Sequence, residues 1–201
     1  MSSKTRLHWF PSTNPEKIRL ALEELELEYE RVSVDLAKRE HKTETYRALH
    51  PRSKVPALEI DGTTLWESGA ILTYLGQRES KLWPTEANDL AKALNLLFLE
   101  SSAFQDLAGV YFFNRKILPS VGRNADPERI ASAKKKLDPL LAVISEQLGE
   151  SDYLLGEFSL VDLAYAPWLP WLDLEDFPRL TKWRQRLLER DAWKRCSIAV
   201  P

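Results

Sequence analysis

Residues 53–75, SKVPALEIDGTTLWESGAILTYL, constrain what this chain can fold into more than any other stretch, because signals for extended backbone, tight turn and helix follow one another without a gap. A residue before proline is pushed out of the helical region, and proline has no N–H to donate. Val55-Pro56 therefore reads as extended backbone whose polar groups face outward. Leu58 and Ile60 alternate with Glu59, Asp61-Gly62 is a hairpin turn signal, and Thr63 to Trp66 returns as a second β-prone run. Glu67-Ser68 then opens a helix with Ala70, Ile71, Tyr74 and Leu75 on one face. A serine at a helix start, with unbonded backbone N–H groups behind it, is a ready seat for a carboxylate.

The flanking sequence supplies the rest of a sheet. Arg6 to Phe10 is an apolar-aromatic run closed by Pro11, and it reads as a strand. Ile18, Leu20, Ala21, Leu22 and Leu25 then form a helical stripe, with Asn14 as expected N-cap and Pro15 at the first helical position. Tyr29 to Val34 is a second strand, joined by a right-handed crossover. A polar helical segment near Thr43 to Leu49 ends at Pro51. The order is βαβαββα, the thioredoxin-like arrangement, over residues 1–80. A polar bridge follows at 81–89 (KLWPTEAND), after which no strand pattern recurs, so residues 90–201 are expected to form an all-α helical domain.

In that second domain Asn88 to about Lys116 reads as one long amphipathic helix. Asp126-Pro127-Glu128 opens another that runs to about Leu148, with a kink or break expected at Pro139. Ser159 and Asp162 have capping-box spacing ahead of a buried helix, and Pro178 to Arg190 is a final amphipathic helix.

Composition excludes several function classes. A single cysteine, Cys196, rules out an internal disulfide framework, and the three histidines at 8, 41 and 50 form no ligand spacing, so no metal is expected. A net charge of -2 argues against nucleic acid or an anionic membrane as partner. No apolar run approaches the roughly 20 residues of a membrane span, and the opening MSSKTRLHWF lacks a secretory h-region, which together lead to the expectation of a cytoplasmic protein. Locally the balance differs: residues 38–54 carry six basic side chains against two acidic ones, which suits a small anionic ligand.

Extended Val-Pro, hairpin, then acidic-Ser at a helix start resembles the glutathione-binding half of the cytosolic glutathione S-transferases. The resemblance implies a cis Val55-Pro56 bond, pairing of Val55 with the cysteinyl backbone of glutathione, and a grip on its γ-glutamyl end by Glu67 and Ser68. Lys54 precedes the Val-Pro pair and His41 lies ten residues before Pro51, as the glycyl-end lysine and histidine do in theta-class proteins. The resemblance also implies a homodimer and a structural role for the Ser159–Asp162 box. The electrophile would lie against the helical domain, with Phe104, Tyr111, Phe112 and Trp168 as candidate lining residues.

What remains is activation of the thiol. An unperturbed thiol has a pKa of about 8.5, and lowering it by about two units takes about 2.7 kcal/mol. One hydrogen bond to a charged group supplies about 1.5 to 3 kcal/mol, so one donor at the start of the first helix suffices. No tyrosine precedes Tyr29, which disfavours the tyrosine-type classes, and no cysteine stands in the first turn, which disfavours the cysteine-type ones. Ser12-Thr13-Asn14 is similar to the serine-type theta and zeta classes and to the bacterial Nu-type proteins, so Ser12 is the first candidate donor and Asn14 the second. The expected reaction is conjugation of glutathione to a small hydrophobic electrophile. Glutathione-dependent disulfide reduction, and a non-catalytic interaction module on the same fold, are the alternatives.

Overall fold

The computed structural model describes residues 4–196, and their contacts separate into two units. The first takes the residues up to Trp83 together with those from Asp191 to Cys196, and the second is Pro84–Arg190.

In chain order the first unit contains β1 (Arg6–Trp9), α1 (Thr13–Glu24), β2 (Glu30–Ser33), a 3-10 turn (Glu40–Lys42), α2 (Glu44–Leu49), β3 (Ala57–Ile60), β4 (Thr63–Trp66) and α3 (Ser68–Glu79). This is the expected βαβαββα thioredoxin-like order. The sheet runs β2-β1-β3-β4, with β1 parallel to β2 and antiparallel to β3, and β3 antiparallel to β4. Leu7, Leu58 and Ile60 from the strands meet Ile18 and Leu22 from α1 and Ile71, Leu72 and Leu75 from α3 in the core, all fully or almost fully buried. Burying each such side chain contributes about 1.5 to 3 kcal/mol.

The hairpin turn is set by local chemistry. Asp61 (φ 51°) and Gly62 (φ 78°) both take positive φ, as a two-residue type I′ turn requires. The Asp61 carboxylate also accepts from Tyr74 Oη (3.0 Å) and Arg78 Nε (2.5 Å), tying the turn to α3 and holding its carboxyl below the usual carboxylate range. Gly76 is required on the same helix, because a Cβ there would stand 2.6 Å from Cβ of Trp83.

Two features depart from the local expectation. The first helix begins at Thr13, so Ser12 and not Asn14 occupies the N-cap position. The face of α1 also buries charge: Glu16, Lys17 and Arg19 are all under 10% exposed. Arg19 Nη1 donates to Glu16 Oε1 (3.2 Å), while the guanidinia of Arg19 and Arg31 lie 5.5 and 5.2 Å from the Trp9 ring. The short α10 (Asp191–Cys196) packs on this face. Arg195 Nε donates to Glu23 Oε2 at 2.9 Å, and the Arg195 carbonyl accepts from Arg19 at 3.5 Å. Cys196 is buried there, and burial pushes its thiol up to about 12. It is no nucleophile at neutral pH.

The second unit is helical. α4 (Ala87–Leu99), α5 (Gln105–Phe112) and α6 (Leu118–Ser120) form one helical run, but π turns at Glu100–Phe104 and Phe113–Ile117 interrupt the single helix expected there. α7 (Pro127–Leu148) runs through Pro139 without a break. Pro139 and Lys135 are both exposed, so water can satisfy the carbonyl whose donor proline lacks. α8 (Leu160–Tyr165) is wholly buried, and α9 (Pro178–Glu189) closes the unit. The Asp162 carboxylate accepts from four donors: Ser159 N (2.9 Å), Ser159 Oγ (3.0 Å), Leu154 N (3.0 Å) and Trp183 Nε1 (2.9 Å). Burial pushes its pKa up, and the donors oppose that shift.

Candidate functional site

Strand register brings the candidate residues to one end of the sheet. His8 pairs with Ala57, and Ala57 with Trp66, so the segments after β1, before β3 and after β4 leave the sheet side by side. These segments hold Ser12, Val55-Pro56 and Glu67-Ser68.

Each segment has unusual local geometry. Ser12 is exposed at the N-cap of α1 with extended backbone (φ -153°, ψ 163°), yet its side chain makes no capping bond. Among the described residues its Oγ donates only to the Phe10 carbonyl, at 3.4 Å. Asn14 lies half-buried one residue into α1 from Thr13. The Val55-Pro56 bond is cis. Among the described residues neither backbone group of Val55 has a hydrogen-bond partner, which leaves both able to pair with an extended peptide. Ser53 (φ 53°) and Glu67 (φ 67°, ψ 116°) take left-handed backbone that costs a non-glycine residue about 1 to 3 kcal/mol, and such strain concentrates at functional sites.

The γ-end candidates sit at a helix start with no side-chain cap. Ser68 opens α3 and is 9% exposed, and the first turn carries no acidic residue. The helix therefore directs uncompensated N–H groups and its positive end at whatever anion lies there. The Glu67 carboxylate is held by Arg52 Nη1 at 2.7 Å. Both side chains are about half exposed, so the pair adds about 0 to 1 kcal/mol. Sequence reasoning overlooked Arg52 as a partner for Glu67, although it lies in the basic segment already singled out.

The glycyl-end candidates frame the approach to Val55. Lys54 has an exposed side chain and a carbonyl that accepts from Tyr46 Oη at 2.8 Å. Burial pushes the Tyr46 hydroxyl up to about 12, so it remains a neutral donor. His41 lies in the 3-10 turn, where its buried Nδ1 has no hydrogen-bond partner among the described residues. His50 is 2% exposed, stacks against Trp66 at 5.6 Å and accepts from Arg52 N at 3.3 Å. Burial pushes its imidazole below the ordinary value.

The aromatic candidates fare differently. Phe104, Tyr111 and Trp168 belong to the core of the helical unit, each under 10% exposed. Phe104 packs edge-on against Tyr165 at 5.1 Å, and Trp168 Nε1 donates to the buried Glu100 carboxylate at 3.1 Å. Phe112 alone is half-exposed, 4.7 Å from the Trp171 ring.

The chain is similar to known proteins along most of its length. A model described as "Glutathione S-transferase, N-terminal domain" matches residues 2–77, and one described as "Glutathione S-transferase, C-terminal domain" matches residues 127–186. Glutathione S-transferase 2 of Schizosaccharomyces pombe is 30% identical, over 90% of this chain and 89% of that protein. The disulfide-bond oxidoreductase YfcG of Escherichia coli is also 30% identical, over 92% and 91%. Among solved structures, a glutathione transferase from Burkholderia graminis with two glutathione molecules bound per subunit matches with a TM-score of 0.84 at 25% identity, over 96% of this chain and 86% of that one. Two domain models in sequence order and relatives matched over nine-tenths of the chain make this protein a member of the glutathione S-transferase family.

Proposed function

We propose that the chain is a glutathione transferase of the serine or asparagine type, theta-like or Nu-like, in which Ser12 stabilises the thiolate of bound glutathione. The observation that carries this reading is the meeting of Ser12, Val55-Pro56 and Glu67-Ser68 at one sheet end, with the Ser12 hydroxyl unused as a helix cap. The Val55 backbone pairs with the cysteinyl peptide, as its unbonded N–H and C=O allow. The γ-glutamyl carboxylate sits on the open N–H groups of α3 beside Ser68, and its ammonium faces Glu67. Lys54 and His41 receive the glycyl carboxylate. The thiolate then attacks a small hydrophobic electrophile: a C–S bond forms, and the electrophile's leaving group or opened ring takes the electron pair.

A second reading, glutathione-dependent disulfide reduction, is favoured by the similarity to YfcG and by the Asn14 amide in the first turn of α1. A non-catalytic module is disfavoured, because such a protein has no need for the strained Glu67 backbone and the unused Ser12 hydroxyl.

Calorimetry with glutathione tests the site. Ser68→Ala and Glu67→Ala are each expected to weaken binding by about 1 to 3 kcal/mol, since each leaves a charged group of the ligand unpaired. Affinities equal to wild type would remove the γ-glutamyl assignment. Turnover of an aryl halide against that of a disulfide separates conjugation from reduction.

We also propose a homodimer. Phe98 on α4 is 66% exposed, an apolar surface that a second copy would cover, with Leu94, Tyr74 and Trp83 as further contributors. Phe98→Asp is expected to shift sedimentation at micromolar concentration from a species near twice 23.2 kDa to one near that mass. A wild-type protein sedimenting only as the monomer would contradict the proposal.

A further inference from the structure

Burying charge is costly, and α1 buries three charged side chains that neither the thiolate donor nor the carboxylate seats require: Glu16, Lys17 and Arg19. Arg19 connects the two sides of the turn that carries Ser12. On the helix side its Nη1 donates to both oxygens of Glu16, at 3.2 and 3.3 Å, and the Glu16 backbone N donates to the Ser12 carbonyl at 3.2 Å. On the strand side its guanidinium lies 5.5 Å from the ring of Trp9, the last residue of β1. From the distal helix, the Arg195 carbonyl accepts from Arg19 Nη2 at 3.5 Å. Residues 10–15 thus run between two positions, Trp9 and Glu16, that a single buried side chain holds.

Ser12 needs such a frame because its own side chain provides none. It makes no capping bond, and among the described residues its Oγ meets only the Phe10 carbonyl, at 3.4 Å. A hydrogen bond weakens steeply as its distance and angle depart from the optimum, so a single donor to a thiolate is only as good as the placement of its backbone. A planar guanidinium meets a carboxylate, a carbonyl and an aromatic face at once, whereas an ammonium is a compact point charge. The clasp therefore needs arginine.

We propose that Arg19 is a positioning residue for the transferase reaction: by holding Glu16 and Trp9 together it fixes the turn from which Ser12 donates to the glutathione thiolate. This role rests on the reading of Ser12 as the thiolate donor. Arg19 acts through the turn and not on the sulfur.

The thiolate absorbance of saturating glutathione, titrated against pH, tests the role. Arg19→Met is expected to raise the pKa of the bound thiol by about half a unit to one unit, while the dissociation constant of glutathione changes by less than about twofold, because the seats for both carboxylates are untouched. Arg19→Lys keeps the charge and loses the fork, so it should shift the titration in the same direction. A wild-type titration for Arg19→Lys would mean that the cation acts through space, which overturns the positioning role. On a Ser12→Ala background Arg19→Met should add no further shift, and an additive shift counts against the proposal. Arg78→Met breaks the ion pair with Asp61 elsewhere in the same unit and is expected to leave the titration at its wild-type value. An equal shift there would reduce the Arg19 effect to general loosening. Should Arg19→Met not fold, Glu16→Gln keeps the side-chain shape, removes the charge that Arg19 meets, and carries the same expected shift. The two failures differ: a Ser12→Ala variant that titrates as wild type removes the donor and this proposal with it, whereas a shift for Ser12→Ala alone, with none for Arg19 or Glu16, leaves the donor in place and overturns only the positioning role.

Discussion

Asp162→Ala is expected to destabilise the helical unit by about 3 to 5 kcal/mol, the range for deleting one partner of a fully buried charged network. The carboxylate has no accessible surface and accepts from two backbone N–H groups, the Ser159 hydroxyl and the Trp183 indole. Deletion leaves those donors facing apolar neighbours with no water to replace the acceptor. Because Leu154 and Trp183 lie on different segments from α8, the loss also releases the chain before the helix and loosens α9. Asp162→Asn keeps the volume and one acceptor oxygen, so a smaller loss is expected. Trp183→Phe, which removes a single donor to the carboxylate, should cost less than Asp162→Ala, about 1.5 to 3 kcal/mol before any packing change. Urea denaturation followed by tryptophan fluorescence ranks the three. Equal midpoints for Asp162→Ala and wild type would mean that the network adds nothing to the fold.

Ser12→Ala is expected to raise the pKa of bound glutathione by about one to two units, because about 1.5 to 3 kcal/mol of anion stabilisation is lost. Turnover near neutral pH should fall with it, while glutathione affinity changes less, since both carboxylate ends keep their partners. Geometry sharpens this expectation. The Ser12 side chain makes no capping bond, so its removal should leave stability almost unchanged, and a drop in activity cannot be assigned to a loosened helix. Asn14 is not the cap either, so Asn14→Ala is not expected to show the roughly 1 kcal/mol loss of an N-cap deletion. If the amide of Asn14 faces the sulfur instead, Asn14→Ala moves the thiol titration and Ser12→Ala is nearly silent. The thiolate absorbance near ~240 nm against pH, for wild type and both variants, decides between them. If neither variant moves it, backbone N–H groups alone hold the thiolate.

The glutathione half was legible because its signals are local. A proline bars one conformation, Asp-Gly selects one turn, and an acidic-Ser pair at a helix start exposes N–H groups, all within residues 53–75. The same rules misread Asn14: Ser, Thr and Asn are all good caps, and choosing among them depends on how α1 seats against the sheet. Arg19 illustrates the opposite limit. Its burial is made tolerable by Glu16 three residues away and by the Arg195 carbonyl 176 residues away, and only the first partner has a sequence spacing to betray it. Phe104, Tyr111 and Trp168 have the spacing of a helical face, but a face that lines a cavity and one that fills a core have the same period. The π turns left no sequence signal, since each is one extra residue accommodated by packing.

The return of α10 to the face of α1 has a consequence for how the protein is made. On a ribosome, residues 4–83 emerge before the helical unit, and their strands and helices can collapse while that unit is still being synthesised. Yet the buried Glu16, Lys17 and Arg19 face lacks its Arg195 and Cys196 neighbours until more than a hundred further residues have appeared. Of the two units, the one that begins earlier in the chain is therefore completed later. While the helical unit is being made, α1 exposes a charged, half-solvated face that α10 later covers.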